Sequence, residues 1–191
     1  MTRPGVCGIV VVLAWLLAGA AHGQSSLPPI PEISFQSSRE GEFIFAEARV
    51  DLPVSPAMVW SVLTDYENYP RFISSMRESK IVTRNADGVV VDQAGSVGFL
   101  FFSMEMSVRL LIAEFPPSVV VARGIEGSFR DSLGRYELRP RGSGTRLIYN
   151  GRFLPDFFVP PLIGMNLVDY LLHRNFAEVV AEILRRDTAA R

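Results

Sequence analysis

The chain has 191 residues, 48% of them hydrophobic, which suits one domain with a full core plus an N-terminal addition. Its net charge is −1, and its eighteen arginines and one lysine form no basic run, which excludes a nucleic-acid partner. The only cysteine, Cys7, lies close to the amino terminus, so disulfides, thiolate metal sites and a cysteine nucleophile are excluded from the body of the chain.

Residues 1–23 read as a secretory signal peptide. Arg3 and the terminal amine supply the positive start, Val6 to Leu17 the apolar core, and Ala21-His22-Gly23 a small-x-small cleavage site. The alternative is an uncleaved membrane anchor, against which the apolar stretch falls short of the roughly twenty residues a span needs. The mature chain is therefore expected to be periplasmic or secreted. Residues 24–41, rich in Ser and Pro, read as an extended linker.

The domain is expected over 42–187, with 188–191 as a tail. Glu42 to Asp51 alternates, with Ile44, Ala46, Ala48 and Val50 on one side and Glu47 and Arg49 on the other, as a half-buried strand does. Ser55-Pro56 opens a helix with serine as cap and proline at the first helical position. A second short helix is expected from Tyr66 to Ser74. Strands follow at Lys80–Arg84 and Val89–Ala94 around an Asn85–Gly88 hairpin loop, then at Phe99–Phe115, Val119–Ile125, Asp131–Arg139 and Thr145–Phe153. From Leu162 to Asp187 apolar residues recur at spacings of three and four, giving one amphipathic helix of about seven turns. Hairpins without intervening helices imply an antiparallel sheet, and one curved sheet covering one long helix accounts for the order.

The stretch Ser55-Pro56-x-x-Val59-Trp60-x-Val62-Leu63-Thr64-Asp65-Tyr66-x-x-Tyr69-Pro70-x-Phe72, with this element order, resembles the START-like helix-grip (SRPBCC) superfamily. The similarity covers roughly Glu42 to Asp187 and is greatest to the branch of coenzyme Q-binding proteins and polyketide cyclase/dehydrase and lipid-transport domains. The resemblance implies an α+β helix-grip fold: a curved antiparallel sheet wrapped around a long C-terminal helix, with two short helices after the first strand. It further implies a deep apolar cavity between sheet and helix, where members bind quinones, lipids, sterols or polyketides, and some are enzymes. The export signal departs from the branch, most of whose members act inside the cell or organelle.

Candidate ligand-binding residues follow from the strand and helix faces. Phe102, Met104, Met106 and Val108 share one face of the longest strand and serve either as plain core or as the floor of a cavity. Tyr136, Leu147, Tyr149 and Phe153 fall on the same side by alternation, and each tyrosine carries a hydroxyl able to orient a headgroup. On the long helix, Leu162 and Met165 lie with Asn166, Asp169 and His173 inside the apolar arc. The last two are four residues apart and able to touch. That polar strip serves either a bound headgroup or a structural contact with the sheet.

The arginines at 123, 130, 135, 139, 141, 146 and 152 read as a solvated outer sheet face, or as a patch for anionic lipid headgroups or a protein. The connector Gly151–Gly164 is apolar enough for a membrane surface or a cavity mouth, or packs as a stiff link. No nucleophile elbow, phosphate loop or metal-ligand cluster appears, so no catalytic residue, metal or cofactor is assigned. The leading expectation is an exported binding or carrier protein for a hydrophobic small molecule such as a lipid, quinone or isoprenoid. The alternatives are a protein-contact domain of the cell envelope and a cyclase/dehydrase-type enzyme using Asp169, His173 or a pocket tyrosine.

Overall fold

The computed structural model describes residues 31–99, 102–157 and 164–191, with side chains outside 97–103. The first strand, Ser34–Glu40 (β1), lies inside the segment expected to be a linker. It pairs antiparallel with Phe43–Leu52 (β2), from Ser34↔Arg49 to Glu40↔Phe43, across a turn in which Gly41 takes φ +60°. The Pro-rich composition of 24–41 hid this strand, since only Phe35 marks an apolar alternation in it.

After β2, Ser55 caps Pro56–Leu63 (α1), its side chain accepting from the Met58 N–H, and Val59, Val62 and Leu63 are buried. A 3-10 helix, Tyr66–Arg71, follows. The remaining strands are Met76–Asn85 (β3), Gly88–Phe99 (β4), Phe102–Phe115 (β5), Val119–Gly127 (β6), Phe129–Arg141 (β7) and Gly144–Pro155 (β8). The C-terminal helix is Gly164–Ala189 (α2). The single strand expected from Phe99 is corrected here, because Phe99 ends β4 and pairs with Phe102 at the start of β5. An unbroken apolar run carries no sign of a reversal within it.

All eight strands form one antiparallel sheet in the order β1-β2-β8-β7-β6-β5-β4-β3. The inner face carries the apolar parity. Val50, Leu138 and Leu147 join Val59, Val62 and Leu63 of α1 and Phe176, Val179, Val180 and Ile183 of α2 in the main core. The outer face carries the charges. Asp92, Arg109 and Glu126 stand side by side on β4, β5 and β6, and Arg109 bonds both carboxylates at 2.6 and 2.7 Å. Arg146 and Arg141 share Asp51, Arg139 and Arg135 share Glu137, and Arg152 meets Asp131. Arg141, Arg146 and Arg152 thus sit in cross-strand ion pairs, and Arg135 and Arg139 in pairs along β7, all reached by solvent and each worth little alone.

Leu171 and Glu182, eleven residues apart on α2 and so at nearly the same helical phase, are both buried at 8% exposure. Glu182 accepts from Arg185 and Arg186 at 2.6–2.7 Å, and Arg186 reaches on to Asp65 at 2.8 Å, tying α2 to the start of the 3-10 helix. Those guanidinium bonds, with Arg185 first, hold the Glu182 carboxyl down at about 2 against an ordinary 4.5. A depressed folded-state pKa gives stability that is complete above about pH 4.5 and lost as pH falls toward 2. In urea unfolding, Glu182→Gln is expected to cost about 2 kcal/mol at pH 7, with the difference from wild type shrinking through that acid window. A constant difference from pH 7 to pH 3 would refute the assignment.

Candidate functional site

The space between sheet and α2 is not filled evenly. In the second half of the helix, Phe176, Val179, Val180 and Ile183 are at most 3% exposed and close the interior against α1, β2 and β8. In the first half, Met165, Val168 and Leu172 are only half-buried. On the inner parity of β5, Met104, Met106, Val108 and Leu110 are also half-buried. These apolar residues keep accessible surface, unlike those of the packed core. The close approaches of α2 are to α1, β1 and β2, so it stands off the middle strands, and aromatic rings reach across instead.

Tyr136 and Tyr149, directly paired across β7 and β8, stack at 4.7 Å between ring centroids, and Tyr149 meets Phe176 at 6.4 Å. Burial pushes the Tyr136 hydroxyl up to about 12, and burial followed by the neighbouring Tyr136 pushes Tyr149 higher still. Both therefore remain protonated donors at any physiological pH. Both rings nevertheless keep accessible surface, and among the described residues neither hydroxyl has a hydrogen-bond partner. By contrast, Tyr69 beside them donates to the Leu63 carbonyl at 2.7 Å, and Tyr66 donates to Glu114 at 2.9 Å.

Gly151 sets where the Tyr149 ring lies. A β-carbon there would stand 2.5 Å from the Tyr149 hydroxyl and 2.8 Å from the Phe153 ring, so the bare backbone lets both lie down on the strand. The Tyr149 hydroxyl consequently points along β8 toward Phe153. Phe153 contacts Phe129 at 5.9 Å, and Phe129 contacts Phe157 at 6.2 Å. Phe157 opens onto a surface cleft of about 340 Å³ that it lines with Arg39, Glu42, Ile44, Arg130 and Asp156. There Arg130 bonds Glu42 at 2.7 Å and lies 3.8 Å from Asp156.

Of the residues anticipated from sequence, Met104, Met106, Val108, Tyr136, Tyr149, Phe153 and Met165 are half-buried, and Tyr136 and Tyr149 pack against the main core. Leu147 is corrected to solid core at 0% exposure, because its strand partners Val50 and Leu138 are already enclosed by α1. Leu162 and the side chain of Phe102 lie outside the described residues, as does most of the connector after Phe157. Asn166, Asp169 and His173 are corrected to exposed positions. Ser37 of β1 donates to Asp169 at 2.8 Å, and Phe35 of β1 meets the His173 ring edge-to-face at 5.4 Å. Asp169 and His173 thus find their partners on the extra strand.

Phe129 and Gly151 were missed. A register shift between Phe129 and Asp131 moves Phe129 to the inner side, against the strand alternation. The spacing Tyr149-x-Gly151-x-Phe153, a small residue between two rings on one face, was a legible sign of the floor. No cluster of metal-ligating side chains occurs among the described residues.

One eight-stranded antiparallel sheet with a long C-terminal helix, and two short helices after the early strands, defines a START-like helix-grip domain. The family model described as polyketide cyclase / dehydrase and lipid transport matches residues 52–168, and the chain belongs to that family. No curated protein matches the chain by sequence. Among solved structures it is similar to a START superfamily protein from Mycobacterium smegmatis, with a TM-score of 0.63 and 16% identity over 74% of this chain and 97% of that one. It is similar to the STAR-related lipid transfer protein of Xanthomonas axonopodis, with a TM-score of 0.63 and 13% identity over 79% and 93%. The Zhui aromatase/cyclase of Streptomyces sp. R1128 gives a TM-score of 0.61 and 15% identity over 76% and 94%. At such identities these likenesses establish the fold. The family match begins at the end of β2, so β1 and its contacts with α2 lie outside it.

Replacing Asp169 and His173 together by leucine is expected to lower the melting temperature by a few degrees, through loss of the Ser37 and Phe35 contacts. Retention of an apolar probe in the cleft is expected to be unchanged. Probe loss without a change in melting would return the strip to the cleft.

Proposed function

We propose that this protein is an exported binding or carrier protein for a hydrophobic small molecule, such as a lipid, quinone or isoprenoid, held between the sheet and the first half of α2. The observation that carries the reading is the pair of apolar walls that retain accessible surface, Met104 to Leu110 on β5 and Met165 to Leu172 on α2. Burying a ligand there contributes roughly 25 cal/mol per Å2 of apolar surface, before ordering costs. Lipid transport in the description of the family agrees with this use of the cleft. The N-terminal signal of residues 1–23 supports export, with release into the periplasm or medium after cleavage near Gln24.

Purified mature protein is expected to carry a hydrophobic molecule that native mass spectrometry detects as an adduct and solvent extraction releases. Val108→Trp, which fills the cleft from β5, is expected to abolish the adduct while leaving a cooperative unfolding transition. Wild-type protein that neither carries nor takes up apolar molecules would overturn the reading. The intact mass of the envelope fraction tests export separately, since an uncleaved chain from Met1 would refute it.

A further inference from the structure

We infer that the ligand carries an acceptor oxygen at one end and enters that end first, placing the oxygen on the Tyr136 and Tyr149 hydroxyls and its apolar body on Phe153, Phe129 and Phe157. This inference rests on the proposed cleft and adds the ligand's polarity and direction.

Three observations support it. The two tyrosines are adjacent donors, stacked at 4.7 Å, and neither hydroxyl meets a protein acceptor among the described residues. Neither hydroxyl is fully enclosed, so a ligand that covers them must supply an acceptor or leave each unpaired at a cost of about 1–3 kcal/mol. The Tyr149 hydroxyl is aimed by the bare Gly151 backbone toward Phe153, along the cleft and not into the core. Beside Phe153 the same face carries the Ser132 hydroxyl, in a residue only 6% exposed where the two tyrosines are half-buried. Phe153, Phe129 and Phe157 follow ring by ring at 5.9 and 6.2 Å to the rim where Arg39, Glu42, Arg130 and Asp156 stand. Tyr149 to Phe153 alone spans about 13 Å along the strand, so the donors lie well inside the rim.

The chemistry sets limits on the class. A carboxylate or phosphate carried to the tyrosines would be desolvated with no cation beside it, since the nearest guanidiniums lie at the rim and outer face. A neutral carbonyl, quinone or ether oxygen accepts both hydroxyls without that cost. A bare hydrocarbon gains the apolar contacts alone and leaves the hydroxyls unpaired. The site therefore favours neutral oxygenated amphiphiles over hydrocarbons of equal size and over ionised fatty acids.

Two fluorescent probes separate this from the underlying reading: the naphthyl ketone prodan, whose emission moves to the red when its carbonyl accepts a hydrogen bond, and the hydrocarbon diphenylhexatriene. Both are expected to bind wild-type protein. The Tyr136→Phe/Tyr149→Phe double variant is expected to bind prodan about tenfold more weakly, with emission shifted to the blue, and to bind diphenylhexatriene unchanged. Phe129→Ala is expected to weaken both probes, and near-ultraviolet circular dichroism checks that each variant folds. If the double variant binds prodan with wild-type affinity and emission colour, the polar-end-first inference falls while the cleft stands. If neither probe binds wild-type protein, the cleft and the inference fall together.

Discussion

The structure depends on the packing of the second half of α2. Phe176, Val179, Val180 and Ile183 press into a floor made by Val50 and Leu147 and closed by Val59, Val62 and Leu63 of α1. Each buried side chain of this kind contributes about 1.5–3 kcal/mol. Because that half is secured, the first half is free to stand away from the middle strands. A helix packed along its whole length would have no cleft beside it. The polar contacts follow the same division. Glu178 takes the Ser74 hydroxyl and backbone N–H at 2.6 and 2.9 Å, and Glu182 gathers Arg185 and Arg186 near Asp65. These fix the C-terminal half to the loop and the 3-10 helix. In the other half, among the described residues, Ser37 and Phe35 of β1 meet Asp169 and His173, and Ser75 donates to Asn175 at 3.0 Å.

Much of this was legible in the sequence where a periodicity had one physical cause. The alternation of β2 reports one wet face and one dry face, and Ser55-Pro56 reports a capped helix start. Both hold because nothing in the tertiary structure competes with them. Legibility failed where a second cause intervened. β1 is mostly polar because it lies at the sheet edge and Phe35 is its one residue packed on the main core, so its residues resemble a linker. The β4–β5 reversal joins two apolar strand ends and so leaves no polar mark. Helical phase placed Asp169 and His173 in the apolar arc, but phase alone does not say that a strand outside the family match covers that side.

The site was partly legible for the same reason. The residue types of the cleft floor were visible, including both tyrosines and the methionines of β5. Which of them face open space and which face solid core was not, because Leu147 and Tyr149 share a strand, a face and an apolar character. Their separation comes from α1, which covers one and stops short of the other. The distinction between half-buried wall and solid core is thus a matter of where neighbouring elements pack, and no local pattern encodes it.

The extra strand gives α2 the mechanics of a beam clamped at one end and tethered near its tip. Its C-terminal half is embedded, and Asp169, one turn from its N-terminal end, is held by a hydroxyl on an edge strand. Such a beam yields most at its free end. Long helices curve gently at little energetic cost, whereas reshaping a close-packed core costs a great deal. Guests of different girth would then be accommodated by small deflections of the first two turns, without disturbing the core that keeps the domain folded. The length of helix that is free to bend, set by the distance from Asp169 to Phe176, would determine how broad a range of shapes one chain can carry.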